Sequence, residues 1–222
     1  MDTLPTKTRE IHNHHMDSTV WNDIDFRDDD IVIATYAKSG TSWMQQIVSQ
    51  LIFQGQTDLP ANAMWYEALN NTPGRVGPEI GTPPKSAAEY FTHWLDNDGA
   101  PFWPYWENVR SWWELRDRPN VKLVHFADLK HDLRGQIAQI AAFLDIEVTP
   151  DMMEKMLHHC SFDYMKNHAA DSVPLGGAFW DGGAKTFIHK GTNGRWRDTL
   201  PRTTSERYEQ TAVEELGEPC AN

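Results

Sequence analysis

The residues best suited to chemistry lie in one short stretch, Thr35-Tyr36-Ala37-Lys38-Ser39-Gly40-Thr41-Ser42-Trp43. It falls between a β-rich apolar run, Ile31 to Tyr36, and a helical-spacing stripe of Met44, Ile47, Val48, Leu51 and Ile52. A strand-to-helix turn presents unpaired backbone N–H groups and the positive end of a helix dipole, so it attracts a phosphate-like anion. Gly40 permits a tight turn and close backbone approach, and Lys38 adds a point charge. The hydroxyls of Ser39, Thr41 and Ser42 can donate to anionic oxygens. The lysine precedes the glycine, so the order G-x-x-x-x-G-K-[ST] of an ordinary ATP-binding loop is absent. On residue types alone, a capped turn with one solvated lysine is the plain alternative.

A second cationic stretch runs from Lys185 to Arg202, where Lys185, Lys190, Arg195, Arg197 and Arg202 face one acid, Asp198, for a local charge of +4. The whole chain carries a formal charge of -12. Nucleic acid or an anionic membrane would therefore meet an unfavourable overall field, whereas a small anion responds to the local cations. Among the ten histidines, His12 with His14-His15 and the pair His158-His159 lack a matching Cys or carboxylate set at ligand spacing, so no metal is expected. Trp103, Trp106, Trp112 and Trp113 are either core or the wall of an acceptor pocket.

The elements that must position these residues alternate between strand and helix, which predicts an α/β class with a parallel sheet. Helix is expected from Thr41 to Gln54. Gly55 to Lys85 reads mostly as loop, with a short helical turn near Trp65 to Asn70. Ser86 and Glu89 form a capping-box pattern ahead of an amphipathic helix, and an aromatic helix begins near Pro104. Val121 to Phe126 is the second expected strand, followed by a helix marked by Leu133, Ile137, Ile140 and Leu144. Thr149 and Pro150 open the next helix, and a last one runs from about Thr204 to Leu216 before Gly217. Two strands are fewer than a buried parallel sheet normally holds.

With 222 residues and 40% hydrophobic content, a single domain over 1–222 is expected. No apolar run approaches the roughly 20 residues of a membrane span, and the opening residues do not resemble a secretory signal. A cytoplasmic protein is the expectation, and two cysteines, Cys160 and Cys220, do not make a disulfide scaffold.

Four ordered motifs resemble the cytosolic, PAPS-dependent sulfotransferase family (PAPS is 3′-phosphoadenylyl sulfate). Thr35 to Trp43 is similar to the loop that grips the 5′-phosphosulfate, with Ala37 where the family usually has Pro. Phe126-Ala127-Asp128-Leu129-Lys130 resembles the family's Y-E-D-L-K turn, and Ser161-Phe162-Asp163-Tyr164-Met165-Lys166 its S-F-x-x-M-K segment beside the adenine. Ile188-His189-Lys190-Gly191-Thr192-Asn193-Gly194-Arg195-Trp196-Arg197-Asp198 resembles the R-K-G-x-x-G-x-W-[KR] segment that helps bind the 3′-phosphate, with His189 in place of Arg.

The resemblance implies a three-layer P-loop-like fold with a parallel sheet. It also implies PAPS as co-substrate without metal, and sulfuryl transfer to a hydroxyl or amine of a small molecule. Lys38 would be catalytic, stabilising charge on the leaving phosphate. Lys38, Ser39, Gly40, Thr41, Ser42, Trp43, Ser161, Phe162, Met165, His189, Lys190 and Gly191 would hold the nucleotide.

The family's K-T-H-x-P strand with its general base and its R-[DN]-x-[RK]-D-x-x-x-S strand are absent, which implies a deletion of central strands near residues 55–63. His93 follows a Thr, but Trp94 breaks the pattern. Two further readings therefore stand beside the enzyme: an impaired paralogue that binds only the nucleotide's 5′-phosphate side, and a nucleotide kinase, which the loop order disfavours. Loss of central strands also implies exposed edges and self-association.

Overall fold

The computed structural model describes residues 6–11, 17–56, 85–100, 102–172 and 182–221, and the expected helical turn at Trp65 to Asn70 lies outside them. Eleven α-helices and two short 3-10 helices occur among these residues, and they fall into two compact units that draw on separate stretches of chain.

The first unit comprises Ile33–Trp65 and Ser111–Arg195. Its helix α1, Thr41–Ile52, opens at Gly40, whose φ of 109° is the left-handed entry that glycine adopts without strain. The expected single apolar stripe is broader in the structure, since Gln45, Gln46, Ser49 and Gln50 are buried beside Ile47, Val48 and Leu51. Gln50 finds partners on both sides of its amide: Nε2 donates to the Gln56 carbonyl at 2.9 Å, and Oε1 meets His159 Nδ1 at 2.8 Å. Ile52 departs from the expected stripe and is exposed. The helix stops there rather than at Gln54, because Gln54 and Gly55 turn the chain with φ of 53° and 79°.

Helices α4 (Phe126–His131), α5 (Leu133–Phe143), α6 (Pro150–His159), α7 (Phe162–Asn167), α8 (Ala169–Ser172) and α9 (Ala184–Phe187) complete this unit. Their starts follow local chemistry. Asp132 caps α5 by accepting from Gly135 N at 2.8 Å, Thr149 caps α6 ahead of Pro150, and Ser161 caps α7 by accepting from Tyr164 N. The α5 and α6 faces join α1 in a core of Ile47, Leu51, Leu129, Ile137, Ile140, Ala141, Met153, Met156 and Cys160. Each large aliphatic side chain sealed there contributes roughly 1.5–3 kcal/mol relative to exposure.

Phe126 corrects the second expected strand: it begins α4, where Asp128 in the first turn and Lys130 and His131 in the last complement the helix dipole. Residues 31–36 and 121–125 are neither helical nor turned, and among the described residues neither enters a strand ladder.

The second unit comprises Met1–Val32, Tyr66–Arg110 and Trp196–Asn222. It holds α2 (Ala87–Asp96), most of α3 (Tyr105–Glu114), α10 (Arg202–Leu216) and α11 (Glu218–Ala221). Ser86 caps α2 as expected, accepting from Glu89 N at 3.1 Å, while Glu89 turns to Lys85 N. Leu95, Trp106 and Ala212 are its buried centre, ringed by Trp94, Tyr105 and Tyr208. Trp106 is therefore core. Ion pairs Arg207–Asp96 and Arg110–Glu215 tie α10 to α2 and α3. Both are solvent-exposed, so each adds at most about 1 kcal/mol.

Candidate functional site

Lys38 sits in the turn before α1 with φ of 65°, a left-handed conformation that costs a non-glycine residue about 1–2 kcal/mol. The residue as a whole remains exposed, yet its ammonium end is covered, with Nζ 3.8 Å from the centre of the Phe187 ring. That desolvation pulls the amine below its usual pKa. Gly40 supplies no side chain to cap α1, so the helix's first-turn N–H groups at Thr41 and Ser42 point outward from the turn. Thr41 Oγ1 is hydrogen-bonded to Thr35 Oγ1, which ties the two ends of the loop together.

Gly40 is required twice over. Its φ is positive, and a Cβ there would lie 3.2 Å from the Phe126 ring. Phe126 in turn meets Trp43 edge-on at 5.4 Å, and Trp43 Nε1 donates to the Cys160 carbonyl at 2.8 Å. This last bond anchors the loop to the residue before Ser161.

Ser161 Oγ donates to the His158 carbonyl at 2.7 Å, Phe162 opens α7, and Met165 is buried beneath them. The segment after α9 lies against this helix. Lys166 Nζ donates to the His189 carbonyl at 2.8 Å, and Gly191, with φ of 57°, lies so near Phe162 that a Cβ would fall 2.6 Å from its ring. Three stretches far apart in sequence, 38–43, 161–166 and 187–191, are thus joined within one unit by named contacts. The residues expected from the sequence are all members of them. Ser39 and Lys190 are exposed, and Ser39 N donates to the Tyr36 carbonyl at 3.2 Å within the turn.

Three residues outside the expected set join these contacts: Phe126 and Lys166 are expected only as members of family-like motifs, Phe126 also as the end of a strand, and Phe187 precedes the cationic segment as an ordinary apolar residue. An aromatic next to a basic loop is too common a signal to single Phe187 out.

His159, the partner of Gln50, is pulled below its usual pKa by burial, with His158, His168 and Lys155 adding to the effect. Cys160 is sealed, and burial pushes its thiol to about 12. Among the described residues no group of three or more His, Cys, Asp or Glu is placed to hold a metal ion, while His12, His14 and His15 lie outside them. His93 belongs to the other unit, exposed on α2 and paired with Asn97. No described helix is long and apolar enough to cross a membrane.

This fold is shared with sulfotransferases of known structure. Mouse sulfotransferase SULT7A1, solved with PAP, superposes with a TM-score of 0.63 at 19% identity, covering 89% of this chain and 87% of that one. Retinol dehydratase, solved with androsterone and PAP, gives 0.52 at 23% identity over 78% of this chain and 45% of that one. In sequence, residues 28–76 and 63–218 match the model of the sulfotransferase domain. The chain belongs to the sulfotransferase domain family.

Relatives include sulfotransferase 1 family member D1 of Mus musculus, 23% identical over 253 positions, which cover 86% of this chain and 84% of the relative. Another is sulfotransferase 1B1 of Canis lupus familiaris, 24% identical over 280 positions, covering 97% and 95%. Since 86% of 222 residues is about 190, about 60 of the 253 positions have no counterpart in this chain. For the canine relative, 97% is about 215 residues, which leaves about 65 of 280 unmatched.

Proposed function

We propose that this chain binds PAPS at the Lys38 loop and transfers its sulfuryl group to a hydroxyl or amine of a small molecule. The acceptor's oxygen or nitrogen forms a bond to sulfur while the bond from sulfur to the 5′-phosphate oxygen breaks, and the acceptor's proton leaves to a base or to water. Lys38 offsets the charge that develops on the departing phosphate, and the first turn of α1 binds its oxygens. Ser161, Phe162 and Met165 flank the base, and His189, Lys190 and Gly191 lie toward the 3′-phosphate. The single observation that carries this reading is the convergence of 38–43, 161–166 and 187–191 in one unit. The PAP bound in the two neighbouring structures supports the choice of nucleotide. Incubation with ³⁵S-labelled PAPS and a panel of phenols, alcohols and amines tests it, and label on an organic product is the expected result.

The finer architecture is a three-layer fold around a parallel sheet whose central strands fall in the unmatched positions, near residues 55–63. The unmatched count of about 60 supports this, as do two extended apolar stretches, 31–36 and 121–125, that enter no ladder among the described residues. Val32 and Leu123 are exposed in them, so self-association along these edges follows, which sedimentation would register.

The same unmatched count favours a second reading, in which nucleotide is bound but transfer is slow for want of a positioned base. Losing such a base removes about 10²–10⁴-fold in rate. Turnover near one per second on a simple phenol would exclude it.

A further inference from the structure

We propose that Lys166 is a positioning residue that sets the chain's preference for a nucleotide carrying a 3′-phosphate, by holding the backbone of residues 189–191 against α7. The inference rests on the preceding reading, in which His189, Lys190 and Gly191 lie toward that phosphate. Phe162 and Lys166 are four residues apart, so they share one face of α7. The stretch after α9 lies on that face. Residues 189–192 belong to no helix or ladder, so their carbonyls find no partner within a regular element. Lys166 Nζ donates to the His189 carbonyl at 2.8 Å, a bond strengthened by the charge on its donor.

The same face of α7 makes the second contact. Gly191, with φ of 57°, approaches the Phe162 ring so closely that a Cβ would fall 2.6 Å from it, and Lys166 Nζ lies 5.4 Å from the centre of that ring. The chain is thus pinned immediately before and immediately after Lys190, whose side chain is exposed. A lysine on an unfixed loop would lose backbone as well as side-chain freedom on meeting a phosphate. Pinning the peptide on either side of it removes the backbone share of that cost before the ligand arrives. Because Ser161, Phe162 and Met165 belong to the same short stretch, one bond also fixes the spacing between the groups proposed to flank the base and those proposed to meet the 3′-phosphate.

Lys166→Met keeps the stem but removes the donor and its charge, and Lys166→Arg keeps both. Calorimetry on the full chain compares PAP with adenosine 5′-phosphate, which lacks the 3′-phosphate. Lys166→Met is expected to weaken PAP binding about 3- to 10-fold and to leave adenosine 5′-phosphate within about twofold, while Lys166→Arg restores PAP binding. In a Lys190→Ala background the loss from Lys166→Met should shrink, since no lysine is left to position. An equal loss in both backgrounds, equal weakening of the two ligands, or an unchanged preference in a folded Lys166→Met protein overturns the role. Should the methionine variant not fold, the unaltered chain decides: its Lys166 ammonium should give a slowly exchanging ¹⁵Nζ signal, assigned with Lys166→Arg, and exchange as fast as that of solvated lysines overturns the proposal. An unaltered chain that binds PAP no more tightly than adenosine 5′-phosphate defeats the underlying 3′-phosphate reading, whereas a preference that survives Lys166→Met defeats this inference alone.

Discussion

The two units of this chain are held by different kinds of core. One is built from nine buried, mainly aliphatic residues on α1, α4, α5 and α6. The other has three, Leu95, Trp106 and Ala212, surrounded by partly exposed aromatic rings and surface ion pairs. Every residue proposed to touch the nucleotide belongs to the first. An anion site needs backbone groups and cations fixed to fractions of an ångström, and close-packed aliphatic helices supply that rigidity. The aromatic unit contributes none of those contacts.

The sharpest way to break this contrast is to damage each core separately. Ile137, which is fully buried, should cost about 2–5 kcal/mol on replacement by Ala, and Trp106→Ala about 3–5 kcal/mol. Ile137→Ala should remove PAP binding along with stability. Trp106→Ala should lower the melting temperature yet leave calorimetric affinity at low temperature within about twofold. Equal losses of affinity in the two variants would erase the distinction.

A smaller effect is expected at the junction of α7 and the C-terminal cationic segment. Gly191→Ala forces a side chain into a positive φ and toward the Phe162 ring, at about 1–2 kcal/mol for the backbone alone. The cost falls on stability, and displacement of the segment proposed to meet the 3′-phosphate should weaken PAP binding by titration. Unaltered affinity would show that the segment does not contact the ligand.

The legibility of the sequence followed the same divide. The turn before α1 and the start of α6 are legible because each depends on local chemistry: a glycine at a left-handed turn, and a capping Thr149 ahead of a proline at the first helical position. Burial of Gln46 and Gln50 is not legible, since His159, which both meet, lies more than a hundred residues away. Phe126 differs from expectation because a run of six residues does not announce where extension gives way to helix, here after His125. The contact of Phe187 with Lys38 is not legible for a related reason, since the fold brings together residues far apart in sequence.

A weaker perturbation comes from pH. The folded pKa of His159 lies below its ordinary value of 6.5, so folding favours the neutral ring. The resulting stability is complete above about 6.5 and is lost as the pH falls from there through the folded value. Melting temperatures measured from pH 7.5 down to 5 should decline, and His159→Gln should flatten the decline. The thiols give the mildest test. Cys160, at about 12 and sealed, should resist a thiol reagent in the native chain and react after denaturation, whereas Cys220, which is only partly covered, should react first.

The central claim is that the Lys38 loop binds the 5′ side of the nucleotide, and Lys38→Ala tests it most directly. A charge-assisted contact is worth about 1.5–3 kcal/mol, so the variant should bind PAP about 10- to 150-fold more weakly than the unaltered chain by calorimetry, with its melting temperature kept. A folded Lys38→Ala protein that binds PAP as tightly as the unaltered chain would contradict it.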